Sequence, residues 1–165
     1  MNRKKTLSLA YSAAIAAIYV VLTMLVAPIA FGPIQFRISE ALTILPVFTP
    51  VAIPGLFVGC LLANLLGNAM IWDVIFGSLA TLIGAVGTWL LRKHRHLACL
   101  PPILSNTLII PWVLRYAYGE ASLIPYLMLT IGIGELQAVG VLGNLLLVAL
   151  MPYREILFGS LHRTS

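Results

Sequence analysis

The sequence predicts an all-α integral membrane protein, a bundle of six transmembrane helices with its N- and C-termini on the cytoplasmic side. Three observations lead there. Of 165 residues, 61% are hydrophobic and only 9% charged, whereas soluble domains run near a quarter charged. The apolar residues fall in runs long enough to cross a bilayer, which takes about 20 residues of helix. The basic residues gather at the ends of those runs, where they act as topology signals. A chain of this length suits a single membrane domain over residues 1–165.

Residues 7–31 form the first predicted span. Arg3-Lys4-Lys5 before it resembles the start of a signal peptide. The apolar run is longer than a signal peptide's, however, and no small-x-small site ends it, which favours a transmembrane helix. Residues 38–67 are too long for one straight helix and contain Pro46, Pro50 and Pro54. Proline removes a backbone donor and breaks or kinks a helix, so the expectation is two short helices, about 38–49 and 53–67. Residues 69–91, 97–118 and 121–150 complete the set.

Charge placement tests the count. With six spans and the N-terminus inside, Arg3, Lys4, Lys5, Arg92, Lys93, Arg95, Arg154 and Arg163 are cytoplasmic, and only Arg37 and Arg115 are outside. If residues 38–67 crossed once, four basic residues would be inside and six outside. Cytoplasmic loops carry the excess of Lys and Arg, so six spans fit.

This distribution also accounts for the net charge of +5 without a nucleic acid partner. Cys60 and Cys99 both lie in apolar context and read as packing residues. His94 and His96 have nothing nearby to complete a metal site. No phosphate-binding Gly-x-x-x-x-Gly-Lys loop, His-Glu-x-x-His, Cys-x-x-Cys or Gly-x-Ser-x-Gly occurs. The expectation is a protein that is not an enzyme and carries no cofactor; uphill transport by it would draw on an ion gradient or on partner subunits. An intramembrane enzyme would need a catalytic pair in the spans, and none is found.

Ionisable residues at membrane depth cost about 2.5–3.5 kcal/mol each and tend to face a cavity. Apart from the basic anchors, Arg37, Glu40, Asp73, Arg115, Glu120 and Glu135 fall in the outer half of the six-span arrangement. Glu135 lies deep in the last span, beside Gly132 and Gly134, where missing side chains admit a ligand or another helix. Arg37 and Glu40, three apart, share a helix face and either pair together or contact a ligand. Asp73 begins a span, where the helix dipole favours an acid in any case. Asn64, Asn68 and Asn106 each need a hydrogen-bond partner, from protein or ligand. Trp72, Trp112, Tyr116 and Tyr118 fit an interfacial aromatic belt, and Trp72 or Tyr116 would equally serve to stack on a planar ligand. Ala10, Ala13, Ala14 and Ala17 form a small-residue stripe along the first helix. Such stripes let membrane helices approach closely, within this bundle or against a partner.

Several strings resemble one family. Phe36-Arg37-Ile38-Ser39-Glu40-Ala41-Leu42, the run Pro54–Leu65, the run Asp73–Thr81, and Gly132-Ile133-Gly134-Glu135 are similar to motifs of the QueT family, in order and over nearly the whole chain. That family belongs to the S components of energy-coupling factor (ECF) transporters. The resemblance implies a six-helix substrate-binding subunit of the bacterial cell membrane. Its partners would be the transmembrane coupling protein EcfT and two ECF ATPases. It implies queuosine precursors, 7-deazaguanine bases or derivatives, as substrate, and the alanine stripe as the surface that contacts the coupling protein. Other expectations stay open: an S component for another small compound such as a vitamin, or a non-transporting membrane assembly protein. Under the family reading, Glu135 accepts the two edge donors of a guanine-like base, Asp73 or Glu40 offsets a cationic substituent, and Asn64 and Asn106 satisfy the remaining edges. Trp72 stacks on the ring, and the Arg37–Glu40 loop closes over the site.

Overall fold

The computed structural model describes residues 3–27 and 37–162. Residues 28–31 of the first expected span, Phe36 and Arg163 lie outside the described residues. Every regular element among the described residues is helical. The helices are α1 (Arg3–Leu25), α2 (Ile38–Val47), α3 (Ala52–Leu66), α4 (Ile71–Leu90), α5 (Leu100–Tyr116), α6 (Ile124–Glu135), α7 (Asn144–Leu150) and α8 (Arg154–His162).

Among the described residues, four helical stretches are long and apolar enough to cross a membrane: Lys4–Leu25, Ile71–Leu90, Arg95–Tyr116 and Ile124–Gly159. The chain is therefore a multi-pass membrane protein. Its outer surface agrees: Leu9, Ile18, Val21, Ile83, Leu104, Leu129 and Val148 are all exposed, as a lipid solvent permits and water does not.

α1 is uninterrupted because residues 3–25 contain neither proline nor glycine. The segment after Arg37 behaves differently. α2 carries Pro46 and winds as a 3-10 helix, and the chain turns at 48–51 before α3 begins. Pro54 sits in the first turn of α3, where its missing N–H is no loss. At about 2.0 Å per residue for α2 and 1.5 Å for α3, each is only about 20–22 Å long. Both are shorter than the ~30 Å hydrocarbon core. Burial makes this tolerable for α2, since Ser39 through Pro46 are all buried. Irregular backbone at membrane depth is accepted where protein rather than lipid surrounds it.

Neighbours in sequence pack as neighbours in space: α1 on α3, α3 on α4, α4 on α5 and α5 on α6. α2 lies inside this ring against α1, α3, α4, α7 and the segment that joins α6 to α7. The α1–α3 contact is close because of Gly59. A Cβ there would stand 2.8 Å from Tyr19 Cβ and 3.1 Å from Ala16 Cα. The joining segment, Leu136–Gly143, is wound as a π-helix that starts directly after Glu135. π turns inside longer helices often mark functional sites.

Candidate functional site

The buried polar and ionisable side chains converge from different elements. α1 supplies Tyr19, α2 Glu40, α3 Asn64, α4 Asp73, α5 Asn106 and α6 Glu135. Arg37, just before α2, and Tyr118, just after α5, close the same region. Glu40 and Asp73 are each 1% exposed, Glu135 5% and Arg37 6%.

The first half of the cluster centres on Asp73. Arg37 Nη2 lies 3.6 Å from Asp73 Oδ2. The Tyr118 hydroxyl donates to that oxygen at 3.2 Å and accepts the Met70 backbone N–H at 3.0 Å. Partial burial raises the Tyr118 phenol above its ordinary pKa, opposed by the Met70 bond and reinforced by the charge of Asp73. The Asn64 amide donates to the Asp73 carbonyl at 3.2 Å. Gly77 makes room for this. A Cβ there would meet Asn64 Nδ2 at 3.0 Å and Asp73 Oδ1 at 3.2 Å.

The second half joins two glutamates. The Tyr19 hydroxyl donates to Glu40 Oε1. The Asn106 amide donates to Glu135 Oε1 at 2.9 Å, and Asn106 also interacts with Glu40.

Two features define the chemistry. Three carboxylates face one guanidinium, an acidic excess inside an apolar protein. In addition, Glu40 Oε2, Asn64 Oδ1, Asp73 Oδ1 and Glu135 Oε2 are buried with no hydrogen-bond partner. All four are acceptors. A buried polar atom without a partner costs about 1–3 kcal/mol, a cost that hydrogen-bond donors entering the site would relieve. Among the described residues no group of acids, histidines and cysteines is placed to hold a metal ion.

The residues singled out from sequence divide accordingly. Arg37, Glu40, Asn64, Asp73, Asn106 and Glu135 come together. Asn68, Trp72 and Tyr116 do not. Asn68 is exposed in a left-handed conformation (φ 54°) just past α3, a geometry asparagine tolerates. Trp72 is 53% and Tyr116 77% exposed. Their rings stack on Phe76 and Trp112, each at 6.1 Å between centroids. Both line a groove of about 600 Å³ between α4 and α5 whose walls are apolar and aromatic. It lacks polar groups to orient a base. Arg115 and Glu120 form a separate loop, with Arg115 Nη1 donating to the Glu120 carbonyl at 2.8 Å. Ala10, Ala13, Ala14 and Ala17 are all exposed, while Ser12, Ile15, Ala16 and Tyr19 face α3.

Tyr19 was not singled out from sequence. Its signal was present: it is a tyrosine in the middle of an apolar helix, whose hydroxyl needs a partner when buried.

Comparison with known proteins agrees with the motifs. A family model described as QueT transporter matches residues 9–152. The Queuosine precursor transporter QueT of Lactococcus lactis subsp. cremoris is 40% identical over 85 residues, half of this chain and half of that relative. No solved structure matches the chain. With the family model covering most of its length, the chain belongs to the QueT transporter family.

Proposed function

We propose that this protein is the substrate-binding S component of an ECF importer and takes up queuosine precursors of the 7-deazaguanine type. The observation that carries the reading is the buried set of unpartnered acceptors on Glu40, Asn64, Asp73 and Glu135, in a chain whose family and named relative are QueT transporters. A deazaguanine offers donors to match: a ring N–H and an exocyclic amine along one edge, a pyrrole N–H, and in some precursors a cationic amine. Glu135 accepts the two edge donors in a bidentate way, since charge-assisted bonds are the strong ones. Asp73 and Glu40 offset the ammonium, and Asn64 and Asn106 complete the edges. Arg37 and Tyr118 cover the Asp73 side.

In this reading α2 and α3 act as two short crossings that raise the four long spans to six. Both termini are cytoplasmic, in a bacterial cell membrane. The exposed stripe of Ala10, Ala13, Ala14 and Ala17 is the docking face for EcfT, and two partner ATPases supply the energy.

Thermal unfolding of the purified protein with queuine, its aminomethyl and cyano precursors, guanine, thiamin and riboflavin tests the substrate. A ligand that binds only the folded state raises Tm by mass action. Stabilisation by deazaguanines alone supports the proposal. Stabilisation by a vitamin instead keeps an S component and overturns its substrate.

A further inference from the structure

A second set of charges lies at the far end of the bundle. Along α4, Asp73 in the acidic cluster and Trp89 near the helix end are about 24 Å apart. Beyond Trp89 a cavity of about 220 Å³ is lined by Arg92, Arg95, Arg154, Phe48, Phe158 and Met151, among others. Arg92 is held in place: its Nη1 donates to the Trp89 carbonyl at 3.0 Å, and its guanidinium lies 3.7 Å from the Trp89 ring centre. Glu155 is the one acid lining the cavity. It sits 3.3 Å from Arg154 in a pair whose members are both more than half exposed, and such pairs contribute little. Three guanidiniums thus face one weakly engaged carboxylate.

The remaining walls are apolar. Phe48 and Phe158 stack at 5.3 Å to form a floor. Arg95 and Met151 also line an adjoining cavity of about 390 Å³, which continues to Leu147 and Val148. Val148 is exposed on the outer surface. This second cavity is also lined by His96 and Asn144, so a charged and polar rim adjoins a wall that reaches the exposed Val148.

We propose that this end of the bundle is a binding site for the phosphodiester of an anionic phospholipid, held by Arg92, Arg95 and Arg154, with an acyl chain along the exposed Val148. The planar arginine fork matches phosphate geometry, and basic pockets between membrane helices hold anionic head groups. A free phosphate would use the rim and leave the apolar wall bare.

Native mass spectrometry and thermal unfolding in detergent test this, with phosphatidylglycerol, phosphatidylcholine or inorganic phosphate added. Phosphatidylglycerol is expected to stay bound and raise Tm; the other two are not. Each arginine adds about fivefold in affinity, so Arg92→Gln with Arg154→Gln weakens phosphatidylglycerol binding about 25-fold. Arg115→Gln, at the opposite end, leaves it unchanged. Because these charges also guide insertion, Arg92→Lys serves where the double variant does not fold: it keeps the charge, loses the fork and is expected to bind the lipid more weakly. Equal retention of both lipids, or undiminished binding in the Arg92 variants, overturns the site. The same stabilisation by inorganic phosphate assigns it to a free anion and overturns the lipid.

Discussion

Asn106 on α5 donates to Glu135 Oε1 on α6 at 2.9 Å, and this bond leaves Glu135 Oε2 buried with no partner. The bond orients the carboxylate and leaves Oε2, together with the second lone pair of Oε1, open to other donors. Replacing Glu135 by Gln preserves the acceptor for Asn106 but removes the charge. A hydrogen bond to a charged group contributes about 1.5–3 kcal/mol, so the Kd for a deazaguanine should rise ~10- to 150-fold. Thermal stability without ligand should hold, because Gln keeps the side-chain shape and the acceptor for Asn106. Calorimetric titration beside an unfolding curve reads both; wild-type affinity in the variant would end the bidentate assignment.

Tyr19→Phe tests the other glutamate. Tyr19 is completely buried, and Glu40 Oε2 already lacks a partner. Without the hydroxyl, Glu40 Oε1 loses its Tyr19 donor as well. The ligand-free protein should lose about 1–3 kcal/mol, seen as a lower Tm. A deazaguanine with a cationic amine should recover part of that loss, since it brings a donor to the same carboxylate.

Gly77→Ala should separate affinity from folding. The added methyl crowds the Asn64 amide and the Asp73 carboxylate at 3.0 and 3.2 Å. Overpacking of this kind costs about 1–3 kcal/mol. Here the groups that must shift are those offered to the ligand, so binding weakens more than Tm falls. Equal losses in the two measurements would mean that Gly77 serves packing alone.

Ala14→Trp with Ala17→Trp places two bulky rings on an exposed face of α1, away from the α1–α3 contact. Substrate binding by the isolated protein should be unchanged. Uptake by cells that hold the coupling protein and ATPases should be lost. Loss of binding as well would show that the stripe supports the bundle itself.

Much of this architecture was legible from two signals, apolar length and the rarity of charge. Pro46, Pro50 and Pro54 pointed to a break, and the structure turns at 48–51 between α2 and α3. The cost of burying Glu40, Asp73 and Glu135 marked them before any coordinate. Trp72 shows where such reasoning stops. It adjoins Asp73, yet a helix advances about 100° per residue, so Asp73 points inward at 1% exposure while Trp72 faces out at 53%. The distinguishing signal lay in the rest of α4, whose small and polar residues Gly77, Ser78, Thr81 and Thr88 are buried on the side of Asp73 while Phe76, Leu79 and Ile83 are exposed with Trp72. The π winding of Leu136–Gly143, a segment that packs against α2, was equally hidden from apolar length and charge.

The shortness of α3 reaches beyond the protein. Val58, Leu62, Leu65 and Leu66 are exposed on a helix of 15 residues, about 22 Å of apolar height. Under the proposed six-span arrangement, a bilayer core of ~30 Å would thin beside that face, tilt the helix or leave its ends dry, at fractions of a kcal/mol per Å. Lipids with shorter chains relieve this mismatch, so acyl-chain length becomes a setting that tunes the protein from outside.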